Sequence, residues 1–178
     1  GHYQNFENNY VNFGTGWSPG DETITAFQFE YGYKLKIIDL SLSLVNKTSF
    51  PFGKDEGMIK KYMITDSSDK YGDNLQGKQV SALLFNVKID LLQFLQNNNK
   101  HRLLVGLGVG LGENADIYQE LNSTTVNQIN TLHFRGLIYS YILQYEYSLN
   151  EKLNIGIKFD HIQPIEISPI SLTISRKF

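Results

Sequence analysis

The residues of this chain that could do chemistry are few and scattered. His133 and His161 could each serve as the base of a nucleophilic triad, which needs a serine and an orienting carboxylate within hydrogen-bond reach. The local sequence His161-Ile162-Gln163-Pro164 has no Ser beside the imidazole, and Ser168 lies beyond a turn. The four histidines, His2, His101, His133 and His161, are too dispersed for metal-ligand spacing, and the absence of Cys removes thiolate sites and disulfides. Asp66, Asp69 and Asp73 could offer oxygen ligands to Ca²⁺, but Lys70 stands where the EF-hand order requires a ligand. A solvated turn is the simpler reading. Gly106, Gly108, Gly110 and Gly112 do not form the G-x-G-x-x-G that opens a helix against a phosphate. Strict every-second glycine inside a Val/Leu strand provides room for bulky neighbours such as Ile138 and Ile142, and a bend in the sheet. The sequence thus names no catalytic residue, no metal site and no cofactor.

Composition narrows the class. The formal net charge is −2 and the 16 Lys and Arg are spread along the chain, which argues against a nucleic-acid partner. No apolar run approaches the roughly 18 residues of a membrane helix. The mean hydropathy of −0.28 resembles a soluble protein, yet a membrane barrel scores the same way because half of each strand faces a polar lumen. Gly1-His2-Tyr3-Gln4 has neither a charged n-region nor an apolar h-region, so the sequence reads as a mature or truncated form.

The elements that would position any site follow from alternation. Phe27, Phe29, Tyr31, Tyr33 and Leu35 alternate with Gln28, Glu30, Gly32 and Lys34; Leu40, Leu42 and Leu44 alternate with Asp39, Ser41 and Ser43. The same period of two runs through Phe85–Leu91, Leu103–Gly112, Gly136–Tyr147, Leu153–Asp160 and Ile170–Phe178, and through a first strand near Tyr10 to Trp17. About eight strands result, each near the 9 or more residues that a tilted strand needs to cross a bilayer.

Connections near Lys36–Asp39, Gln96–Lys100 and Asn150–Lys152 are short or moderate, whereas Asn46–Gly77 and Gly112–Gln128 are long and polar. Short periplasmic turns opposite long external loops are the asymmetry of an outer-membrane barrel. The domain expectation is an N-terminal periplasmic or lumenal segment over 1–8 and a barrel over 9–178. Within the long second loop, Met58, Ile59, Tyr62 and Met63 have helical spacing and could form an amphipathic turn.

Alternation alone leaves open which face is wet, since a soluble ligand-binding barrel alternates too. Three features favour lipid outside. The polar face mixes Glu30, Lys34, Asp39, Lys88, Asp90, Glu146, Lys158 and Asp160 with small residues, which suits a narrow lumen that pairs its charges. Trp17, Tyr31, Tyr33, Tyr145, Tyr147 and Phe159 sit toward strand ends on the apolar face, as interfacial rings do. The third is the final strand, Ser171-Leu172-Thr173-Ile174-Ser175-Arg176-Lys177-Phe178, which resembles the insertion signal of outer-membrane barrels. The whole chain from about Tyr10 resembles the small eight-stranded barrels of the OmpA/OmpX type, and its Asn-, Ile- and Lys-rich style is similar to members from the Bacteroidota. Gly14-Thr15-Gly16-Trp17 departs from the Gly-x-Trp of soluble lipocalins.

The resemblance implies a closed, antiparallel, up-and-down, all-β barrel in a bacterial outer membrane. It implies contact with lipopolysaccharide and phospholipid, insertion by the barrel assembly machinery, and association with other outer-membrane proteins. Some barrels of this size act on lipid A through a His, Ser and carboxylate, which makes His133 and His161 the residues to watch. Eight strands enclose an interior just wide enough for side chains, so Lys34, Lys88 and Lys158 are expected to pair with Glu30, Asp90, Glu146 or Asp160 and close the lumen. Function then falls to the external loops or the lipid-facing wall. The expected protein is a non-enzymatic structural or accessory subunit.

Overall fold

A computed structural model describes residues 9–17, 24–49, 75–96, 100–119, 128–165 and 167–178. Eight strands close in sequence order: β1 (Asn9–Trp17), β2 (Ile24–Leu35), β3 (Ile38–Ser49), β4 (Leu75–Asp90), β5 (His101–Gln119), β6 (Gln128–Ser148), β7 (Leu153–Gln163) and β8 (Ile170–Lys177). Each pairs antiparallel with its neighbour, and β8 returns to β1 through Phe13↔Ile174 and Gly14↔Thr173. The ring has no open edge, so the strands satisfy one another's backbone groups, as lipid requires.

The alternation decides the two faces. Phe29, Leu42, Phe85, Leu107, Tyr141 and Ile157 point outward, while Glu30, Ser41, Lys88, Ser140 and Lys158 are buried inside. On β6 the outward apolar row runs from Leu137 to Tyr147. That is about 33 Å of strand, or about 25 Å of height at a tilt of roughly 40°, the thickness of an outer-membrane apolar band.

Short connections gather at one end. Residues 36 and 37 join β2 to β3, with Lys36 taking φ 49° to close the turn. Between β4 and β5 lies one helical turn, α1 (Leu91–Gln96), which begins where the Asp90 Oδ1 accepts the Gln93 N–H at 3.2 Å. The sequence places the turn near Gln96–Lys100, where 97–99 lie outside the described residues; the helical turn before it is an apolar run after an N-capping Asp.

At the opposite end two strands run further than the alternation indicated. β5 and β6 pair out to Gln119↔Gln128, so the segment expected as a loop from Gly112 is mostly hairpin. The pattern fades because both faces of a ladder beyond the membrane are wet, and Glu113 and Arg135 pair across it at 2.8 Å. The register shifts between Asn114 and Ala115, opposite His133. Segment 1–8, Asp66, Asp69, Asp73 and the Met58–Met63 stretch lie outside the described residues.

The glycine stripe of β5 behaves as its spacing indicates. A Cβ on Gly106 would stand 2.6 Å from Lys88 Cγ, and one on Gly112 would stand 2.9 Å from Ile138 Cδ1. At Gly110 the obstruction is the Leu83 carbonyl, part of the backbone of β4, so no side chain fits there. Gly110→Val should destabilise the barrel by about 1–3 kcal/mol. Urea unfolding from lipid vesicles, followed through the single Trp17, should show the lower midpoint, while the lipid-facing Leu111→Ile leaves it in place.

Candidate functional site

The interior divides into two zones. Toward the long-loop end it is apolar: Val45, Val80, Ala82, Leu84, Ile138 and Ile162 pack together, joined by Ile165 and Ile167. Those last two come from the β7–β8 connection, which folds inward because Ile162 and Ile167 exchange backbone hydrogen bonds of 2.8 and 3.2 Å. Of this apolar plug the alternation of the sequence indicates Ile138 as an inward residue.

Toward the short-turn end the interior is ionic. Glu30, fully buried, accepts from Lys88 Nζ at 2.6 Å through Oε1 and from Lys158 Nζ at 2.9 Å through Oε2, and the Tyr10 hydroxyl oxygen lies 2.9 Å from Oε1. Lys158 also approaches Asp160 Oδ2 at 3.4 Å. Below this cluster lies Arg102, which holds three carboxylates at once. Its Nε donates to Asp90 Oδ2 at 2.9 Å, its Nη1 to Glu146 Oε2 at 2.8 Å and its Nη2 to Asp39 Oδ2 at 3.0 Å. Tyr10 OH donates to Asp39 Oδ1 and ties the two clusters together. Gln144 and Asn154 complete the coordination of Glu146 at 2.7 and 3.3 Å.

Of the expected pairs, those of Lys88 and Lys158 with Glu30 and Asp160 form. Lys34 does not pair: it lies at the mouth, and Asp90 and Glu146 are taken by Arg102 instead. Sequence reasoning passed over Arg102, although the period of two runs inward from Gly106 through Leu104 to it. The guanidinium wins because its planar donors can satisfy several carboxylates in one plane, which an ammonium cannot do.

The two histidines are not brought together. His161 pairs with Tyr141 across β6–β7, whereas His133 lies eight residues further along β6, about 26 Å at strand spacing. The overshoot of β6 separates them. The serine set aside as lying beyond a turn does reach His161: the inward fold of that turn places Ser168 Oγ 2.7 Å from the imidazole Nδ1. Gln163 Nε2 lies 3.0 Å from the other ring nitrogen, and Tyr141 stacks on the ring at 6.4 Å. The third position is therefore an amide and not a carboxylate. Among the described residues no cluster of three His, Cys, Asp or Glu could hold a metal ion.

No protein-family model matches the sequence, and a search among curated proteins finds no match. Solved structures do resemble it. Neisserial surface protein A superposes with a TM-score of 0.59 at 7% identity, over 96% of this chain and 95% of that one. This is the fold of the small outer-membrane barrels. Ail of Yersinia pestis, in complex with the heparin analogue sucrose octasulfate, gives 0.55 at 9% identity over 96% and 97% of the two chains. The N-terminal β-barrel domain of Pseudomonas aeruginosa OprF gives 0.51 at 10% identity over 97% and 98%. The outward apolar band and the buried ionic lumen agree with that fold, in which short turns face the periplasm.

Removing Arg102 would strand Asp39, Asp90 and Glu146 without their shared cation. Arg102→Ala should cost about 3–5 kcal/mol, the scale for breaking a buried ion pair from one side. Arg135→Ala removes an exposed partner of Glu113 and should cost about 1 kcal/mol or less. The same unfolding measurement in vesicles compares the two directly.

Proposed function

We propose that this barrel is a non-enzymatic outer-membrane protein acting as a structural element or as an accessory subunit of an outer-membrane complex. The observation that carries this reading is the interior, where Glu30, Lys88, Asp90, Gln144, Lys158 and Asp160 are at most 1% exposed. Beyond them, toward the long-loop end, Val45, Val80, Leu84, Ile138 and Ile162 pack together inside the barrel. A barrel packed in this way offers no solute path, so its work falls on the outer rim and the lipid-facing wall.

That wall has relief. Cavities of 320 and 510 Å³ lie on the outer surface of β3–β7, the first beside Leu83 and Leu111, the second beside Val87, Leu107 and Tyr141. Lipopolysaccharide and phospholipid acyl chains fit such hollows, and so does the side of another barrel. The remaining partner in this reading is the barrel assembly machinery during insertion; nucleic acid has no part in it. Extraction from native membranes in mild detergent should recover the protein with a second outer-membrane protein in fixed ratio. The purified barrel should give no stable conductance in planar bilayers. A lone monomer would overturn the subunit version, and large reproducible channel steps would overturn the closed lumen.

A lipid-modifying enzyme is the second reading, favoured by one observation, the Ser168–His161 hydrogen bond at the external end. The amide of Gln163 in place of a carboxylate weighs against it, because imidazolium formed during proton transfer would lack a compensating charge. Mass spectra of lipid A and phospholipid should be the same for the native protein, Ser168→Ala and His161→Ala. A change in those spectra would establish the enzyme.

A further inference from the structure

At the short-turn end the barrel opens into a cavity of about 470 Å³ lined by Lys34, Lys100, Arg102, Ser148, Glu151 and Lys177, with Leu149 and Asn150. Four of these side chains are cations, and Glu151 is the one carboxylate among them. The three carboxylates closest to Arg102 are not on the cavity wall. Asp39, Asp90 and Glu146 are engaged by the guanidinium, and their negative charge also reaches Lys34 and Lys177. Lys34 Nζ and Lys177 Nζ, in contrast, form no hydrogen bond or ion pair with any described residue. Ser148 Oγ is buried and also has no partner among the described residues.

Lumen-facing parity explains this convergence. Lys34 on β2, Arg102 on β5, Ser148 on β6 and Lys177 on β8 are the last or first inward positions of their strands. Closing the barrel brings them around one mouth. The half-buried Lys34 and Lys177 are repelled by the guanidinium and attracted by the carboxylates it holds. Neither has a direct anionic partner among the described residues, which an anion entering between them would supply. An unpartnered hydroxyl adds a neutral donor to the same space.

We propose that the periplasmic mouth is a binding site for a small multivalent oxyanion, phosphate- or carboxylate-bearing, held by Lys34, Lys177 and Ser148 against the Arg102 floor. Access is along the barrel axis from the periplasm, separate from the external rim and the lipid-facing wall. Arg102 keeps its three carboxylates, which more than offset its charge, so the attraction for an anion comes from Lys34 and Lys177 and binding does not require the buried network to open.

The test uses the full chain in phosphatidylcholine nanodiscs at low ionic strength, titrated calorimetrically with inorganic pyrophosphate and separately with tricarballylate. One saturable site is expected, weakened about tenfold or more in the Lys34→Gln/Lys177→Gln double variant, the scale of losing charge-assisted hydrogen bonds. Heat-modifiable migration checks that the variant still folds. Should it fail to fold, amide shifts of Ser148 and Lys177 in the native protein on titration serve as the readout. Binding of pyrophosphate alone assigns a phosphate ligand, binding of tricarballylate alone a carboxylate one, and binding of both a site that reads charge only. Absence of saturable binding by both probes, affinity unchanged in the folded double variant, or saturation without shifts at Ser148 and Lys177 would overturn the proposal.

Discussion

Every polar group at membrane depth has to find its partner inside the protein, and this requirement organises the barrel. The backbone meets it by closing eight strands into a ring. The charged side chains group around two centres, Glu30 with two ammoniums and Arg102 with three carboxylates. A charge left alone there would cost several kcal/mol, so the lumen cannot hold these residues loosely. Tyr10 joins the two centres through its hydroxyl, so β1 to β7 all contribute to one connected network.

The division of the interior along the axis then decides what the molecule can do. Ionic side chains pack toward the end near the short turns, and aliphatic ones pack toward the end near the long loops. The aliphatic plug depends on the β7–β8 connection folding inward, which places Ile165 and Ile167 over the lumen. The same fold carries Ser168 to His161, so the best-formed side-chain pair at the external rim is a consequence of capping the barrel. Its chemistry is that of a held imidazole, with an amide where a triad needs a carboxylate.

The glycine stripe links the interior to the wall. Gly106 and Gly110 let β5 approach β4 more closely than any side chain would permit. One hollow on the lipid side is lined by the small residues Ala82 and Gly112.

The sequence by itself determined the strands and their division into an apolar and a polar face, because a period of two is a local property that any stretch such as Phe27–Leu35 or Leu103–Gly112 displays. It also determined that the lumen would be charged and crowded, since the polar parity of β2, β4 and β7 is legible residue by residue. Only the tertiary structure decided which charges meet. Arg102 reaches Asp39, Asp90 and Glu146 because ring closure sets three other strands around it, at sequence separations of 63, 12 and 44. Lys34 is left at the mouth for the same reason, its expected partners being already held. Strand lengths were also a tertiary decision: the β5–β6 hairpin rises beyond the membrane, where water erases the alternation, and that rise separates His133 from His161. Ser168 comes to His161 through a turn whose inward path is set by aliphatic packing between distant strands, which spacing along the chain does not encode.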